Sequence, residues 1–524
     1  MRNTISILSA LGVALFALAP GAFGARPGND ARGLSGPAPG AQLHLIILHT
    51  NDLHGQVLPR PAFWVGKPNP PNAGGIGRIA GYVNRVRREA ADAGDELLVL
   101  DAGDWSQGSP EGALGQGRDF MRALVWIGYD AMCLGNHEFD HGIDALVDNL
   151  AAVPLPALVA NVRDAQGGAI GAVPSYRIFE RGGLRVAVVG LLSPDTPGIT
   201  HPTARTWRFG DPAVALRTAR EELGDRADWV LPLTHLGLTA DRELARAHPD
   251  LDLIVGGHSH TVLPKGQLQG STRIVQAGSK ASAIGRVDVW FDLEKKQVVK
   301  LEARIVDLFR EPEARDRNER LQAECQAMLE RGSEVLDTPI GSLAAPMSRA
   351  QGALQSSPSG NLISDAMRAA TGADVALQNR GGIRADLQGG VVTRRDVFSV
   401  LPFSNRLVVL NLSGRELEAC LRRAVEGRGR RGPEISGMTL ELRRVAGAVE
   451  LARVTVAGRT LDPGARYSLA TNSFLASGGD GYEDLVDAER QGETSTLLRE
   501  VLEGVFSGGE PVTPPAENRY LFVD

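Results

Sequence analysis

Residues Leu43–Gly55, LHLIILHTNDLHG, run from an apolar stretch of β-formers straight into a turn that carries Asn51, Asp52 and His54. Four later stretches repeat the pattern: ELLVLDAGD (Glu96–Asp104), YDAMCLGNHEFD (Tyr129–Asp140), WVLPLTHLG (Trp229–Gly237) and LDLIVGGHSH (Leu251–His260). Apolar runs of this length, bounded by turn residues, read as buried strands. Helical patterns such as GRIAGYVNRVRREAADAG and PAVALRTAREELG lie between some of them, so the first half is expected to be a layered α/β domain. Polar residues just past strand ends are where such folds place ligand sites.

Outward from these turns, 524 residues exceed one ordinary core, and two or more domains are expected. A 43% hydrophobic, 23% charged composition is that of a soluble globular chain, and a net charge of −6 argues against a surface for nucleic-acid polymers. The charged helical stretch Glu311–Gly332 has few apolar positions and reads as an interdomain connector, after which further strands and helices run from TPIGSL to the C-terminus. The opening MRNTISILSALGVALFALAPGAFGA has the Arg, apolar run and small residues of a secretory signal peptide. Its rival is a retained anchor, but the uninterrupted run falls short of the ~20 apolar residues a span needs. Export to a periplasm or beyond is expected, with no stable membrane span after cleavage. Cys133, Cys325 and Cys420 are too few and scattered for a thiolate metal site or a dense disulfide framework, and read as small hydrophobes.

The turns of the first half together supply Asp52 and His54, Asp104, Asn136 and His137, His235, and His258 and His260. A mixed oxygen and nitrogen set without thiolate suits Zn, Mn, Fe or a similar divalent ion. The set is too large for one tetrahedral ion, and two metals sharing a carboxylate fit it better. Any one of these residues alone reads as a capping or hydrogen-bonding group. Five such turns, each at a strand end, read as a metal centre.

The ordered motifs HTNDLHG, DAGDWSQGS, LGNHEFD, THLG and GGHSH resemble those of the calcineurin-like metallophosphatases. Their wording is similar to the exported 5′-nucleotidase family, which includes periplasmic UDP-sugar hydrolases, and GNLISDAM, NRGGIRADL, LPFSN and NSFLASGGDGY extend the likeness through the second half. The resemblance implies a layered α/β/β/α metallophosphatase domain followed by a smaller α/β 5′-nucleotidase C-terminal domain. With the features above, the expected boundaries are a signal peptide over 1–24, a catalytic domain over 42–310, a helical linker over 311–335 and a substrate-binding domain over 336–524.

Residue by residue, the resemblance implies one metal held by Asp52, His54, Asp104 and His260, and a second by Asp104, Asn136, His235 and His258, with Asp104 bridging. The ions would be Zn, Mn or similar. Asp101, three residues before Asp104, is assigned a structural role because the motif places the ligand after the glycine. The resemblance makes His137 and Asp140 a catalytic dyad, and their spacing lets them meet if the turn leads into a helix. Glu138 and Phe139 read as local: a hydrogen-bonded or solvated carboxylate and a core ring. Two ions at one site would activate water for direct attack on phosphorus, with His137 assisting the phosphoryl or leaving group.

In the second half Arg384 offers a planar donor fork to phosphate. Phe403 and Phe474 read as core rings by themselves, but the matching family aromatics sandwich a nucleobase. On the same basis Asp480 would bind ribose hydroxyls, and Asn379 and Asn405 would line the nucleoside pocket. The implied activity is hydrolysis of nucleoside 5′-phosphates, a step of nucleotide catabolism. The alternatives are a 2′,3′-cyclic nucleotide phosphodiesterase, a UDP-sugar pyrophosphatase, and a non-catalytic nucleotide-binding surface protein. One departure stands out: the family often has an Arg and a Glu shortly before GNL, where AQGALQSSPSGNL has Ala, Gln and Ser, with Arg349 the nearest basic residue upstream. Oligomeric state is not legible.

Overall fold

Residues 42–61, 72–308, 318–349, 352–403, 405–426 and 431–523 are described by a computed structural model of the chain. The leader read over 1–24 and the opening of the charged stretch, residues 311–317, lie outside them.

Each run singled out above is a strand: Gln42–Thr50, Glu96–Asp101, Ala131–Cys133, Trp229–His235 and Leu253–Val255. The first three, with Ala157–Leu158, form a parallel group in a six-stranded sheet that Ala283–Asp292 and Gln297–Asp307 extend in the antiparallel sense. The other two join Leu184–Leu192 and Thr272–Val275 in the parallel core of a second six-stranded sheet. Such strands are apolar on both faces because both faces are covered. Leu45, Ile47, Leu98 and Leu100 of the first sheet meet Val186, Val188, Leu231 and Leu233 of the second in one buried cluster. The opposite face of the first sheet, with Ile46, Leu48 and Val99, packs on the helices Ile76–Ala93 and Arg118–Val125. That of the second, with Ala187, Val189 and Ile254, packs on Pro212–Leu223 and Leu238–Ala247. The layers are therefore helix, sheet, sheet, helix.

The second half is built on a five-stranded sheet whose order is Glu434–Ser436, Val375–Gln378, Arg466–Asn472, Arg406–Ser413 and Glu489–Leu497. Between the halves the charged stretch forms a helix, Glu319–Leu336, capped by Asn318. Its few apolar residues are used: Leu321 and Met328 are buried in the same cluster as Ile46 and Leu48. Among the described residues no helix is long and apolar enough to cross a membrane. All three cysteines are free thiols, two of them buried.

One strand pairing demands a glycine. His49 stands opposite Gly285, and a Cβ at Gly285 would lie 1.9 Å from the His49 Nε2. The imidazole fills the side-chain position of its partner. Gly285→Ala is expected to destabilise the fold by about 3 kcal/mol, at the upper end of overpacking costs, and a second change, His49→Ala, to recover most of that loss. Denaturant midpoints of the two variants measure both effects.

Candidate functional site

The strand ends converge. Asp52 and His54 follow the first strand, Asp104 follows Glu96–Asp101, Asn136 and His137 follow Ala131–Cys133, and His235 closes its own strand. His258 and His260 follow Leu253–Val255. The backbone there is unusual: Asp52, His54, Asp104, His258 and His260 all have positive φ, between 49° and 76°. Non-glycine residues rarely hold this conformation, and where they do the site pays for it in strain. The left-handed bends let residues spaced by two aim at one point.

Hydrogen bonds fix these turns from behind. The buried Glu138 carboxylate accepts three backbone N–H groups, from Asp104 at 3.0 Å, Trp105 at 2.8 Å and Gly135 at 2.7 Å, tying two strand-end turns together. Asp101 accepts from the Thr50 hydroxyl at 2.6 Å and from Gly103 N at 2.9 Å, and burial pushes its carboxyl up to about 8. Both of its oxygens are thereby engaged by neighbouring backbone and hydroxyl groups, in keeping with a structural role. Asn51 donates its amide to Asp52 Oδ2 and to the Gly278 carbonyl, each at 2.6 Å.

At the front of the cluster, imidazole nitrogens and carboxylate oxygens face one another at close range. The His54 Nδ1 faces the Gln107 carbonyl at 2.7 Å and so carries its hydrogen. The Nε2 lone pair then meets the His260 Nε2 at 2.8 Å, and both rings approach Asp52 Oδ1, an oxygen that is buried and has no hydrogen-bond partner. In the same way the His235 Nδ1 faces the Ala102 carbonyl at 2.6 Å, and its Nε2 points at Asp104 Oδ2, Asn136 Oδ1 and His258 Nδ1, each at 3.2 Å. Burial pushes His54 down to about 3 and His258 down to about 4, leaving both as neutral donors. Burial also opposes charge on His235, but the carboxylates of Asp104 and Asp52 overcome it and push this group up to about 10. Buried carboxylates ringed by imidazoles attract positive charge, and a mixed set of nitrogen and oxygen donors suits divalent ions. Three-residue groups within ligating reach are Asp52, His54 and His260; His54, Asp104 and His137; and Asp104, His235 and His258.

His137 begins a 3-10 turn, His137–Phe139, which brings its Nδ1 to 2.7 Å from Asp140 Oδ2. Burial works against its charge, but Asp140 and Asp104 push it up to about 10. The other Asp140 oxygen accepts from the Thr200 hydroxyl at 2.9 Å. On its solvent side the His137 ring lies 6.1 Å from the Phe403 ring, tilted by 19°.

A cavity of about 330 Å³ opens in front of this cluster. Asp104, Asn136, His137, Asp140, His258 and His260 line one end, and Asn379, Arg384, Phe403, Asn405, Phe474 and Asp480 the other. Asp52, His54 and His235 lie one layer behind, in contact with the lining residues. Every residue that the resemblance assigns to the metals, the dyad or the substrate is thus brought to one place. The Arg384 guanidinium sits 5.8 Å from the Phe403 ring centre, Asn379 donates to Asp480 at 2.8 Å, and Gly479 lies so close under the Phe474 ring that a Cβ would come within 2.5 Å of it.

The sequence reading missed three contributors. Residues 198–201 of the catalytic half form a side wall of the cavity. Gln107 donates from its buried side chain to the Pro402 carbonyl across the two halves. Arg380 takes up the altered segment before Gly360, donating to the carbonyls of Gly352 and Gln355, while Ser357 bonds Glu434 and caps the helix Pro358–Thr371. Arg349 instead faces Asp386.

Comparison with known proteins agrees with this architecture. Residues 45–262 match the sequence model of the calcineurin-like phosphoesterases, and residues 337–487 that of the 5′-nucleotidase C-terminal domain. The protein UshA of Yersinia enterocolitica is 29% identical over 515 residues, spanning 89% of this chain and 92% of the relative. A 5′-nucleotidase of Vibrio cholerae is 29% identical over 517 residues, with 89% and 91% covered. The crystal structure of a 5′-nucleotidase precursor from Thermus thermophilus superposes with a TM-score of 0.74 at 30% identity, covering 92% of this chain and all of that one.

Substituting Glu138 by Gln would turn an amide N–H toward backbone donors it now satisfies. A stability loss of about 1–3 kcal/mol is expected from the unpaired buried groups, measured by chemical denaturation.

Proposed function

This chain belongs to the calcineurin-like phosphoesterases that carry a 5′-nucleotidase C-terminal domain and is a hydrolase of phosphoric esters; from that premise we propose that it releases phosphate from nucleoside 5′-phosphates, outside the cytoplasm. One observation carries the reading: a single cavity has the His137–Asp140 pair and the lone-pair cluster at one end, and two aromatic rings with Asn379 and Asp480 at the other. That combination suits the chemistry of a nucleoside monophosphate.

The family implies divalent metal ions. We assign one to Asp52, His54, Asp104 and His260 and a second to Asp104, Asn136, His235 and His258, and when bound they would supply charge to activate water and neutralise phosphoryl oxygens. Neutral His54 and His258 offer lone pairs without first losing a proton. His137 does the opposite and keeps its protons. Its Nδ1–H is held by Asp140, so its Nε2–H is available to a phosphoryl or leaving oxygen. A nucleoside alkoxide leaves poorly, and a proton donated at that atom eases its departure. Arg384 reaches toward the phosphate, Phe403 and Phe474 stack on the base, and Asp480, oriented by Asn379, accepts from ribose hydroxyls. Stacking tolerates any base, which fits broad base preference.

The catalytic domain is taken as 42–310, the linker as 311–335 and the substrate-binding domain as 336–524. Export rests on the signal-like composition of residues 1–24.

A second reading, cleavage of a nucleotide-sugar pyrophosphate, is favoured by one feature. Arg384 also borders a neighbouring cleft of about 450 Å³ lined by Arg349, Arg380 and Arg431, where Asp386 and Glu434 pair with the first two, so a second phosphate there would rely mainly on Arg431 and Arg384.

Phosphate release from AMP, UMP, ATP, UDP-glucose and 2′,3′-cyclic AMP, after chelation and return of Mn, Zn, Co or Mg, separates these readings. Metal-dependent hydrolysis of the 5′-monophosphates is expected, with Asp104→Asn reducing it by at least about a hundredfold. Activity confined to UDP-glucose or the cyclic ester would overturn the first reading, and nucleotide binding without turnover would mark a silent binder. Phe474→Ala is expected to raise the KM for AMP about ten- to a hundredfold, in line with about 1–3 kcal/mol of stacking per base, while p-nitrophenyl phosphate, which lacks a nucleobase, loses little.

A further inference from the structure

The side wall of the cavity, Thr196–Thr206, touches both ends of the site. On the catalytic side its Thr200 hydroxyl donates to Asp140 Oδ1, the oxygen that His137 does not use. The same segment is seated on the turn after Asp140 at two more points. The Thr203 hydroxyl accepts from Ile143 N at 3.2 Å, and Thr203 and His201 press on Gly142, where a Cβ would come within 3.3 Å of both side chains. Thr196 anchors its start by bonding the Ser193 carbonyl, and Ser193 N in turn bonds the carbonyl of His235.

On the other side, Arg205 spans the two halves of the chain. Its Nη2 donates to the Ser477 hydroxyl at 2.6 Å and its Nε to the Pro197 carbonyl at 3.3 Å, and Gly198 faces the Ser477 carbonyl. Ser477 lies between Phe474 and Asp480, on the segment that carries the aromatic end of the cavity.

We propose that Thr200 is a positioning residue for the His137–Asp140 pair, and that the Thr196–Thr206 wall transmits to that pair whether the Phe474–Asp480 segment is docked. The physical basis is the soft last torsion of an aspartate, whose terminal sp³–sp² rotation has broad wells. A carboxylate bonded through one oxygen can swing; one bonded through both holds its plane. Fixing that plane fixes the direction of the imidazole on its other oxygen, and so the aim of the His137 Nε2. Arg205 and Gly198 tie the wall to Ser477, so displacing Ser477 would loosen the hold on Asp140.

The inference rests on the phosphoesterase reading but not on the nucleotide one, so the test uses both AMP and p-nitrophenyl phosphate with the metal-loaded full chain. Thr200→Val keeps the shape and removes the hydroxyl. It is expected to lower kcat about tenfold on both substrates, with KM within about twofold and an unchanged melting temperature. Thr200→Ser is expected to restore kcat to within about threefold of the original. Arg205→Ala is expected to lower kcat on AMP about threefold, and the double variant to fall no lower than Thr200→Val alone, the signature of one coupled path. Unchanged kcat in Thr200→Val, or failure of Ser to rescue, would overturn the positioning role. Multiplying losses in the double variant would overturn the coupling. Hydrolysis of p-nitrophenyl phosphate without that of AMP would refute the nucleotide reading, while the Thr200 comparison would still decide the positioning role.

Discussion

The site depends on one carboxylate that faces away from it. Glu138 collects the backbone N–H groups of Asp104, Trp105 and Gly135, and in doing so holds two strand-end turns at a fixed separation. Asp104 can then keep a backbone conformation that an aspartate rarely adopts, with φ at 60°. From there its Oδ1 receives the N–H of His137 at 2.9 Å and its Oδ2 meets His235. A carboxylate held by several N–H groups is a rigid, low-energy anchor in a buried setting. The strain of the five left-handed residues, spread over three turns, is offset by such hydrogen bonds behind the cluster.

The cavity belongs to neither half of the chain. Its charged end sits on strand ends of the first half and its aromatic end on loops of the second, with Gln107–Pro402 and Arg205–Ser477 as polar links across the junction. Phe403 shows how close the fit is: its ring lies 6.1 Å from that of His137, in the first half, and 5.8 Å from the Arg384 guanidinium, in the second.

Much of this was legible in the sequence, for a physical reason. A strand buried on both faces must be apolar throughout, and while one Asp, Asn or His at or past its end can be a cap, as Asp101 shows, five such turns in one domain point to a site. Asp52, Asp104, Asn136, His235 and His258 advertise themselves in that way. Thr200 does not, because it sits in an irregular segment with no periodicity, and its partner Asp140 is sixty residues away in the chain. Gln107 and Arg205 were hidden for the same reason: their contacts join residues nearly three hundred positions apart. The departure before Gly360 was visible as a loss, but its replacement was not. Arg380 lies within the NRGGIR motif and bonds backward to the carbonyls of Gly352 and Gln355, a relation that no local pattern announces.

The pairing of His49 with Gly285 also sets an order of events during synthesis. The strand Gln42–Thr50 is central in its sheet, yet one of its neighbours, Ala283–Asp292, lies some 240 residues later in the chain. At ribosomal rates of about 5–20 residues per second, that edge stays open for a time on the order of tens of seconds. Through that interval an apolar strand presents unpaired N–H and C=O groups, the geometry that invites pairing with another chain. A nascent chain of this topology thus keeps that edge open until Asp292 emerges, the interval in which shielding by a chaperone would matter.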